Sequence, residues 1–225
     1  MGSDPLGGWL RVGGGEGRVL RPLVGMARLP RELLAGGVYH AFARGNRGSE
    51  IFADDADYAE YMELLRKAVE RFRWHLLAYC LMGNHVHLLV ETPEPNLPEG
   101  MQWLHGKYGR YFNDRHQLYG HLFQGRYKAV RQKSDEQLWQ AMRYVALNPV
   151  SAGLCERPGD YRWSSYWATL APSVEPVALH RLSRFIGARD DEQGVRRYQD
   201  LVEERSRDDL AALHTANAPV SPVTP

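Results

Sequence analysis

The chain has 225 residues, 44% of them hydrophobic, and a formal net charge of +1. This length allows one sizeable buried core, and no apolar run approaches the roughly 20 residues that a membrane span needs. The two cysteines, Cys80 and Cys155, are far apart in the sequence. Their spacing argues against a disulfide framework or a cysteine zinc site, so we expect a reduced, cytoplasmic setting without membrane association.

Composition divides the chain into three segments. Residues 1–36 are rich in glycine and arginine and show no helical or strand period, so we expect a flexible leader rather than a signal peptide. Residues 37–168 carry the periodic patterns of a folded domain. Residues 169–225 are charged and weakly periodic, which predicts a helical or disordered tail that ends in a disordered stretch, 217–225.

The first half of the domain shows one strand, one helix and then two strands. Alternating residues predict the first strand, and apolar residues at helical spacing predict a helix with acidic residues at its N-terminus. A Gly83-Asn84 turn joins the next two strands into an antiparallel hairpin. The predicted ranges are 38–43, 54–73, 74–82 and 85–91.

The second half adds a helix over about 101–112, a strand over 127–132 and a third helix. Ser134 or Asp135 could cap the third helix, which we expect to end at Leu147 because proline follows at position 149. The first six elements predict an α+β fold, a ferredoxin-like β-α-β-β-α-β antiparallel sheet with helices on one face. The third helix is an addition that could pack beside the sheet.

A pair of histidines lies on the strand predicted at residues 85–91. His85 and His87 are two residues apart on a strand, so both imidazoles point to the same face. Together they can bind a cation, although two ligands leave most of its coordination shell unfilled. Such pairs are also often structural, and a third ligand would strengthen the metal interpretation.

The third helix carries two polar residues that could meet the histidines. Tyr144 and Asn148 are four residues apart and therefore lie on one helical face, beside the apolar stripe. Asn148 could offer a carbonyl oxygen to a metal, and Tyr144 a phenolic oxygen to a substrate. Alternatively, Tyr144 is a boundary aromatic and Asn148 a helix terminator before Pro149.

Positive charge is concentrated in one stretch of the sequence. Residues 101–133 contain seven basic residues and one acid, Asp114, with tyrosines and phenylalanines between them. Such a stretch is typical of a nucleic-acid surface, or equally of a solvated face. The residues we select for DNA contact are Lys107, Arg110, Tyr111, Arg126, Lys128, Arg131 and Lys133.

Four ordered motifs carry a family resemblance. YCLMGNHVHLLV (79–90), GHLFQGRYK (120–128), RYVALNPVSAG (143–153) and WSSY (163–166) resemble the REP-associated tyrosine transposases of the HUH single-strand transposase superfamily. The resemblance spans about residues 37–167 and is far more specific than the histidine pair alone. The leader and the tail lie outside it.

The resemblance implies a catalytic domain that recognises hairpin DNA and cleaves beside it. It implies that His85 and His87 bind a divalent metal, Mg²⁺ or Mn²⁺, with Asn148 as third ligand, and that Tyr144 is the nucleophile. Tyr111 is the second choice for the nucleophile. The expected reaction on single-stranded DNA gives a 5′-phosphotyrosine and a free 3′-OH, and the lack of a GxxxxGK[ST] loop agrees with a reaction that needs no ATP.

Two other functions remain open from the sequence. A ferredoxin-like sheet could serve as a non-catalytic nucleic-acid-binding module, or a metal-dependent hydrolase could use water instead of tyrosine. A homodimer, with Tyr144 acting in its own subunit or in its partner's, is also left open.

Overall fold

The computed structural model describes residues 34–170 and 191–203. Four strands, numbered in chain order, form one antiparallel sheet. They are β1 (Gly37–Arg44), β2 (His75–Met82), β3 (His85–Thr92) and β4 (Lys128–Gln132). Their spatial order is β2-β3-β1-β4. This order confirms the predicted ferredoxin-like arrangement.

Five α-helices lie in the described ranges. They are α1 (Asp55–Phe72), α2 (Leu97–His116), α3 (Asp135–Ser151), α4 (Ser165–Leu170) and α5 (Asp191–Glu203). Short 3-10 turns lie at Asn46–Gly48 and Pro158–Asp160. In the described part of the chain, no helix has the length and apolar character needed to cross a bilayer. Most of the predicted leader, and the predicted disordered stretch 217–225, lie outside the described residues.

Helices α1 and α2 cover one face of the sheet. Their apolar sides pack in one core with Tyr39 and Ala41 of β1 and Leu88 of β3. Leu65 of α1 and Leu104 of α2 are fully buried, and each such leucine contributes about 1.5–3 kcal/mol relative to an exposed one. The helices of the ferredoxin-like unit therefore lie on one face, as predicted.

Helix α3 covers the opposite face of the sheet. It forms a second core with residues of β2 and β3, including Leu77, Cys80 and Leu89. We expected this helix beside the sheet, so its position over a face is a correction. The reason is its composition, because Leu138, Met142 and Val145 form a buried stripe that needs an apolar partner surface.

The end of α3 also differs from the prediction. The helix continues through Pro149 to Ser151 instead of ending at Leu147. Proline lacks the N–H of a helical hydrogen bond and its ring crowds the carbonyl four residues earlier, but the residues after it keep their own N–H groups. The last turn is closed by Ala152 N–H donating to Asn148 O at 3.0 Å and Leu154 N–H donating to Pro149 O at 2.9 Å.

The WSSY motif covers the outer edge of β2. Leu81 N–H donates to Trp163 O at 2.9 Å, and Tyr79 N–H donates to Ser165 Oγ at 3.0 Å. Tyr161 Oη–H donates to Leu81 O at 2.7 Å. These bonds satisfy the outward backbone groups that an edge strand would otherwise expose.

Part of the predicted tail packs into the domain. Tyr198 and Val202 of α5 are buried in the same core as α3. Tyr166 Oη–H of α4 donates to Glu203 Oε1 at 2.7 Å. Residues 191–203 therefore form a packed helix.

Candidate active site

The two histidines of β3 face α3. His85 opens the strand and His87 follows two residues later, so the pleat directs both rings to the same side. Their ring centroids are 4.9 Å apart and the rings are nearly perpendicular. His87 is buried and His85 is partly exposed, so only one side of the pair is open to solvent.

Asn148 of α3 lies between the two rings. Its Oδ1 is 3.4 Å from His85 Nε2, and its Nδ2 is 3.3 Å from His87 Nε2. The Tyr144 ring is one helical turn earlier, 5.4 Å from the His87 ring between centroids, and its hydroxyl hydrogen-bonds to Asn148. The four residues selected from the sequence therefore lie together in one cluster.

Three atoms of this cluster could hold a metal ion. Asn84 Oδ1 lies 2.6 Å from His85 Nδ1, while the Asn84 amide nitrogen donates to Gly48 O. Because an amide oxygen only accepts, His85 Nδ1 carries the hydrogen and the neutral ring keeps a lone pair on Nε2. His85 Nε2, His87 Nε2 and Asn148 Oδ1 then lie close together, each with a lone pair that could bind one metal ion. Within residues 34–170 and 191–203, no group of three His, Cys, Asp or Glu side chains forms a metal site, so the third protein ligand here would be the amide oxygen.

Burial keeps the histidines neutral. Burial lowers the pKa of His85 to about 4, a shift that the Asn148 hydrogen bond opposes and the nearby Arg44 charge assists. Burial holds the pKa of His87 well below its ordinary value, and the charges that His40 and His85 carry when they are protonated lower it further. A metal ion needs the deprotonated imidazole, so both rings are in the form that can bind one at neutral pH.

The environment of Tyr144 disfavours its ionised form. Burial raises the pKa of its phenol above the ordinary value, and the hydrogen bond with Asn148 partly offsets this. A reaction at this oxygen therefore needs additional positive charge near it.

A third histidine belongs to the cluster and was missed from the sequence. His40 Nε2 of β1 lies 2.9 Å from His87 Nδ1, and its ring centroid is 5.7 Å from that of Tyr144. A single histidine on a strand has no spacing signal. The pairing of His40 with Leu89 and of Phe42 with His87 brings it to the site, and a strand register is not readable from one sequence.

Arg44 is a second residue that the sequence did not single out. It pairs with His85 across β1 and β3, so the two side chains share a face, and it is exposed. In the described part of the chain, no carboxylate forms an ion pair with Arg44. This arginine is therefore an available positive charge at the open side of the histidine pair.

The predicted DNA-contact residues divide between the two faces of the sheet. Lys128 pairs with Phe42 and thus lies on the histidine face, while Arg131 pairs with Tyr39 and lies on the other. Exposed Arg126 precedes β4, close to Gln124, whose N–H donates to Arg44 O. Lys107, Arg110 and Tyr111 lie on α2, across the sheet from the histidines, and Lys133 follows β4.

Tyr111 is not near the histidine pair. It packs against the core beneath α1 and α2, and its Oη–H donates to Ala56 O at 3.5 Å. The structure thus brings Tyr144, and not Tyr111, to His85 and His87.

Comparisons with known proteins give the chain's relatives. A curated protein of Haemophilus influenzae described as a REP-associated tyrosine transposase is 23% identical over 163 residues, covering 67% of this chain and 92% of the relative. A solved REP-associated tyrosine transposase bound to a REP hairpin superposes with a TM-score of 0.55 at 17% identity. It covers 67% of this chain and 89% of the other, and supports the fold. A transposase structure from Deinococcus radiodurans has a TM-score of 0.37 at 22% identity, over 48% of this chain and 87% of the other.

The family assignment rests on the sequence pattern of the domain. Residues 36–148 match the family described as "Transposase IS200 like". This range contains β1 to β4 and both Tyr144 and Asn148, and the curated relative confirms the resemblance to REP-associated tyrosine transposases. The chain belongs to the IS200-like transposase family.

Proposed function

We propose that this transposase cleaves and rejoins hairpin-flanked single-stranded DNA through a covalent bond between Tyr144 and a 5′-phosphate. The observation that carries the proposal is the cluster of Tyr144, Asn148, His85 and His87, in which a phenol lies beside converging metal-donor atoms. Such a cluster suits attack on a phosphodiester, whose negative charge must be neutralised while the nucleophile is aligned.

In this proposal His85, His87 and Asn148 hold a divalent metal. When bound, the ion would withdraw electrons from a non-bridging phosphate oxygen. Imidazole ligands suit Mn²⁺ better than Mg²⁺, which prefers oxygen ligands. The amide of Asn148 can turn about its terminal bond to direct its oxygen inwards.

The chemistry of the chain's own residues follows from this arrangement. The Tyr144 oxygen loses its proton and attacks the phosphorus, so that a new P–O bond forms and the bond to the 3′-oxygen breaks. The departing 3′-oxygen takes up one proton in place of the one lost by the phenol, which leaves a free 3′-OH. Attack by another 3′-OH reverses the step, restores the tyrosine and joins the strands. The phosphodiester energy is conserved in the tyrosine ester, so no nucleotide hydrolysis is needed.

We further propose that the cleaved strand runs along the open part of the histidine face. Exposed Arg44 and Lys128 lie there, next to Phe42 and Val130, and exposed Arg126 precedes Lys128 by two residues. Lysine and arginine contacts with phosphates supply much of the affinity for nucleic acid, and in residues 34–170 and 191–203 none of these three cations has an ion-pair partner. Lys107, Arg110, Tyr111, Arg131 and Lys133 lie elsewhere and remain candidates for contacts with the hairpin.

Tyr144 is proposed to act in its own subunit. Only Lys133 and Ser134 separate β4 from α3, and α3 packs on the sheet of the same chain. To test this, Tyr144→Phe and His85→Ala variants are mixed. Action within one subunit predicts no recovery of cleavage, whereas recovery would mean that tyrosine and histidines come from different subunits.

The test of the function is a covalent adduct. Labelled single-stranded DNA with a flanking hairpin is incubated with the protein and Mn²⁺, then separated under denaturing conditions. We expect a protein–DNA adduct with wild type and none with Tyr144→Phe. Cleavage without an adduct would indicate a metal-dependent hydrolase, and binding without cleavage would indicate a non-catalytic module.

A further inference from the structure

His40 and His87 form a buried pair of imidazoles next to the atoms that are proposed to bind the metal. His40 Nε2 and His87 Nδ1 are 2.9 Å apart, and the side chains are 2% and 5% exposed. At this distance one nitrogen donates a hydrogen and the other accepts it. Burial favours neutral rings, so a single hydrogen lies between them, and its position decides which nitrogen of His87 has a free lone pair.

The contacts of His87 indicate where this hydrogen lies. Asn148 Nδ2 is 3.3 Å from His87 Nε2, and an amide nitrogen can only donate. His87 Nε2 therefore accepts, which leaves the ring hydrogen on Nδ1. That N–H faces His40 Nε2, which must be the acceptor.

We propose that His40 is a positioning residue that accepts a hydrogen bond from His87 Nδ1 and so keeps the Nε2 lone pair of His87 free to bind a metal ion. In a metal-binding histidine, the hydrogen bond made by one ring nitrogen fixes which nitrogen the metal can use. The inference rests on the metal role of His87 in the proposed function. It adds His40 as the residue that keeps His87 in the tautomer that can bind the metal ion.

The opposite arrangement would block the site. If His40 Nε2 donated to His87 Nδ1, the hydrogen of His87 would sit on Nε2, directed at Asn148 and the metal position. The packing of the His40 ring, with centroids 5.4 Å from Phe42 and 5.7 Å from Tyr144, holds its Nε2 in position opposite His87 Nδ1.

Two substitutions separate a positioning role from simple packing. His40→Phe keeps an aromatic ring in the core but removes the acceptor. His40→Gln places its Oε1 about where His40 Nε2 lies, because both atoms are four bonds from Cα. A matched control is His105→Phe, since His105 Nε2 lies 3.3 Å from Tyr61 Oη on the other side of the sheet, away from the site.

The first measurement is made without metal. Long-range proton–nitrogen NMR of full-length protein with ¹⁵N-labelled histidine reports which ring nitrogen of His87 carries the hydrogen. We expect hydrogen on Nδ1 in wild type and His40→Gln, and a shift towards Nε2 in His40→Phe. Hydrogen on Nε2 in the wild type would overturn the proposal.

The second measurement is Mn²⁺ affinity by titration calorimetry. We expect His40→Phe to bind about 10–100-fold more weakly, with His40→Gln and His105→Phe near wild type. Wild-type affinity in a folded His40→Phe would also overturn the inference. If His40→Phe does not fold, the proposal is tested by the tautomer of His87 in the wild type and by the Mn²⁺ affinity of His40→Gln. If wild type binds no Mn²⁺, the metal role of His40 fails with the proposed metal site, while a DNA adduct on Tyr144 would still support the nucleophile.

Discussion

Asn148 Nδ2 lies 3.3 Å from His87 Nε2, across the boundary between α3 and the sheet. This contact joins the helix that carries the proposed nucleophile to the strand that carries the proposed metal ligands. Because Tyr144 lies one turn earlier on the same helix, the contact also sets the distance between the phenol and the histidines.

Substitution of Asn148 tests the proposed third ligand. Asn148→Ala removes the amide oxygen, so we expect the Kd for Mn²⁺ to rise about tenfold or more, which corresponds to at least about 1.4 kcal/mol. Asn148→Asp replaces a neutral oxygen by a charged one and is expected to bind Mn²⁺ more tightly. Titration calorimetry measures both. Asn113→Ala on α2, whose amide donates to Gly120 O, is the control and should leave affinity unchanged.

Substitution of Arg44 and Lys128 tests the proposed path of the strand. Each of Arg44→Gln and Lys128→Gln is expected to weaken single-strand binding across sequences. Each should also lower the slope of log K against log salt by about 0.7, the value for one single-strand phosphate contact. The measurement is fluorescence anisotropy at several salt concentrations. Arg66→Gln is the control, because Arg66 is already paired with Glu63 and Glu70 on α1, and an equal effect there would argue against the path.

The buried histidines predict an acid-sensitive fold. Burial lowers the pKa of His40 and of His85 to about 4 from an ordinary value of 6.5. Between pH 6.5 and 4 the unfolded chain takes up these protons and the folded protein does not, so stability falls as the pH falls. We expect the Tm of metal-free protein to decrease through this window. A flat Tm from pH 6.5 to 4 would show that these histidines are not buried as neutral rings.

A control separates this effect from carboxylate titration. Asp54 bonds to Arg115, which lowers the pKa of its carboxyl to about 2, so its contribution is lost between about pH 4 and 2. Asp54→Asn should therefore lower the Tm by a roughly constant amount above about pH 4, change its pH dependence only below about pH 4, and leave the slope between pH 6.5 and 4 unchanged.

The close contact of Gly100 with Trp74 predicts a destabilising substitution. A Cβ at Gly100 of α2 would overlap the indole ring of Trp74, which is buried and donates Nε1–H to Asn96 Oδ1 at 2.8 Å. We expect Gly100→Ala to cost about 1–3 kcal/mol, or roughly 2–4 °C in Tm per kcal/mol. Gly106 on the same helix has open space around it, so Gly106→Ala should stabilise by up to about 1 kcal/mol. Thermal unfolding of both variants checks the pair, and equal effects would contradict the packing argument.

Much of the fold could be predicted because periodicity is local. The alternation in the strands and the helical spacing of α1 and α2 depend on nearby residues only. The position of α3 could not be predicted, because an apolar stripe does not specify which surface it packs on. The extension past Pro149 depends on hydrogen bonds of the last turn, which no sequence rule for proline describes.

The candidate site was predictable where motifs carried it. His85 and His87 have a spacing that fixes their common face, and Tyr144 and Asn148 were selected chiefly through the family resemblance. His40 and Arg44 reach the site through the β1–β3 register. That register depends on pairing of distant segments, so neither residue had a signal in one sequence.

The most direct test of the central claim is to identify the residue that holds the DNA. Wild-type protein is reacted with hairpin-flanked single-stranded DNA and Mn²⁺, the adduct is digested with protease and nuclease, and the modified peptide is sequenced by mass spectrometry. We predict a 5′-linked nucleotide on Tyr144, on the helix that contacts His85 and His87 through Asn148. A nucleotide on Tyr111 or on any other residue would contradict the account.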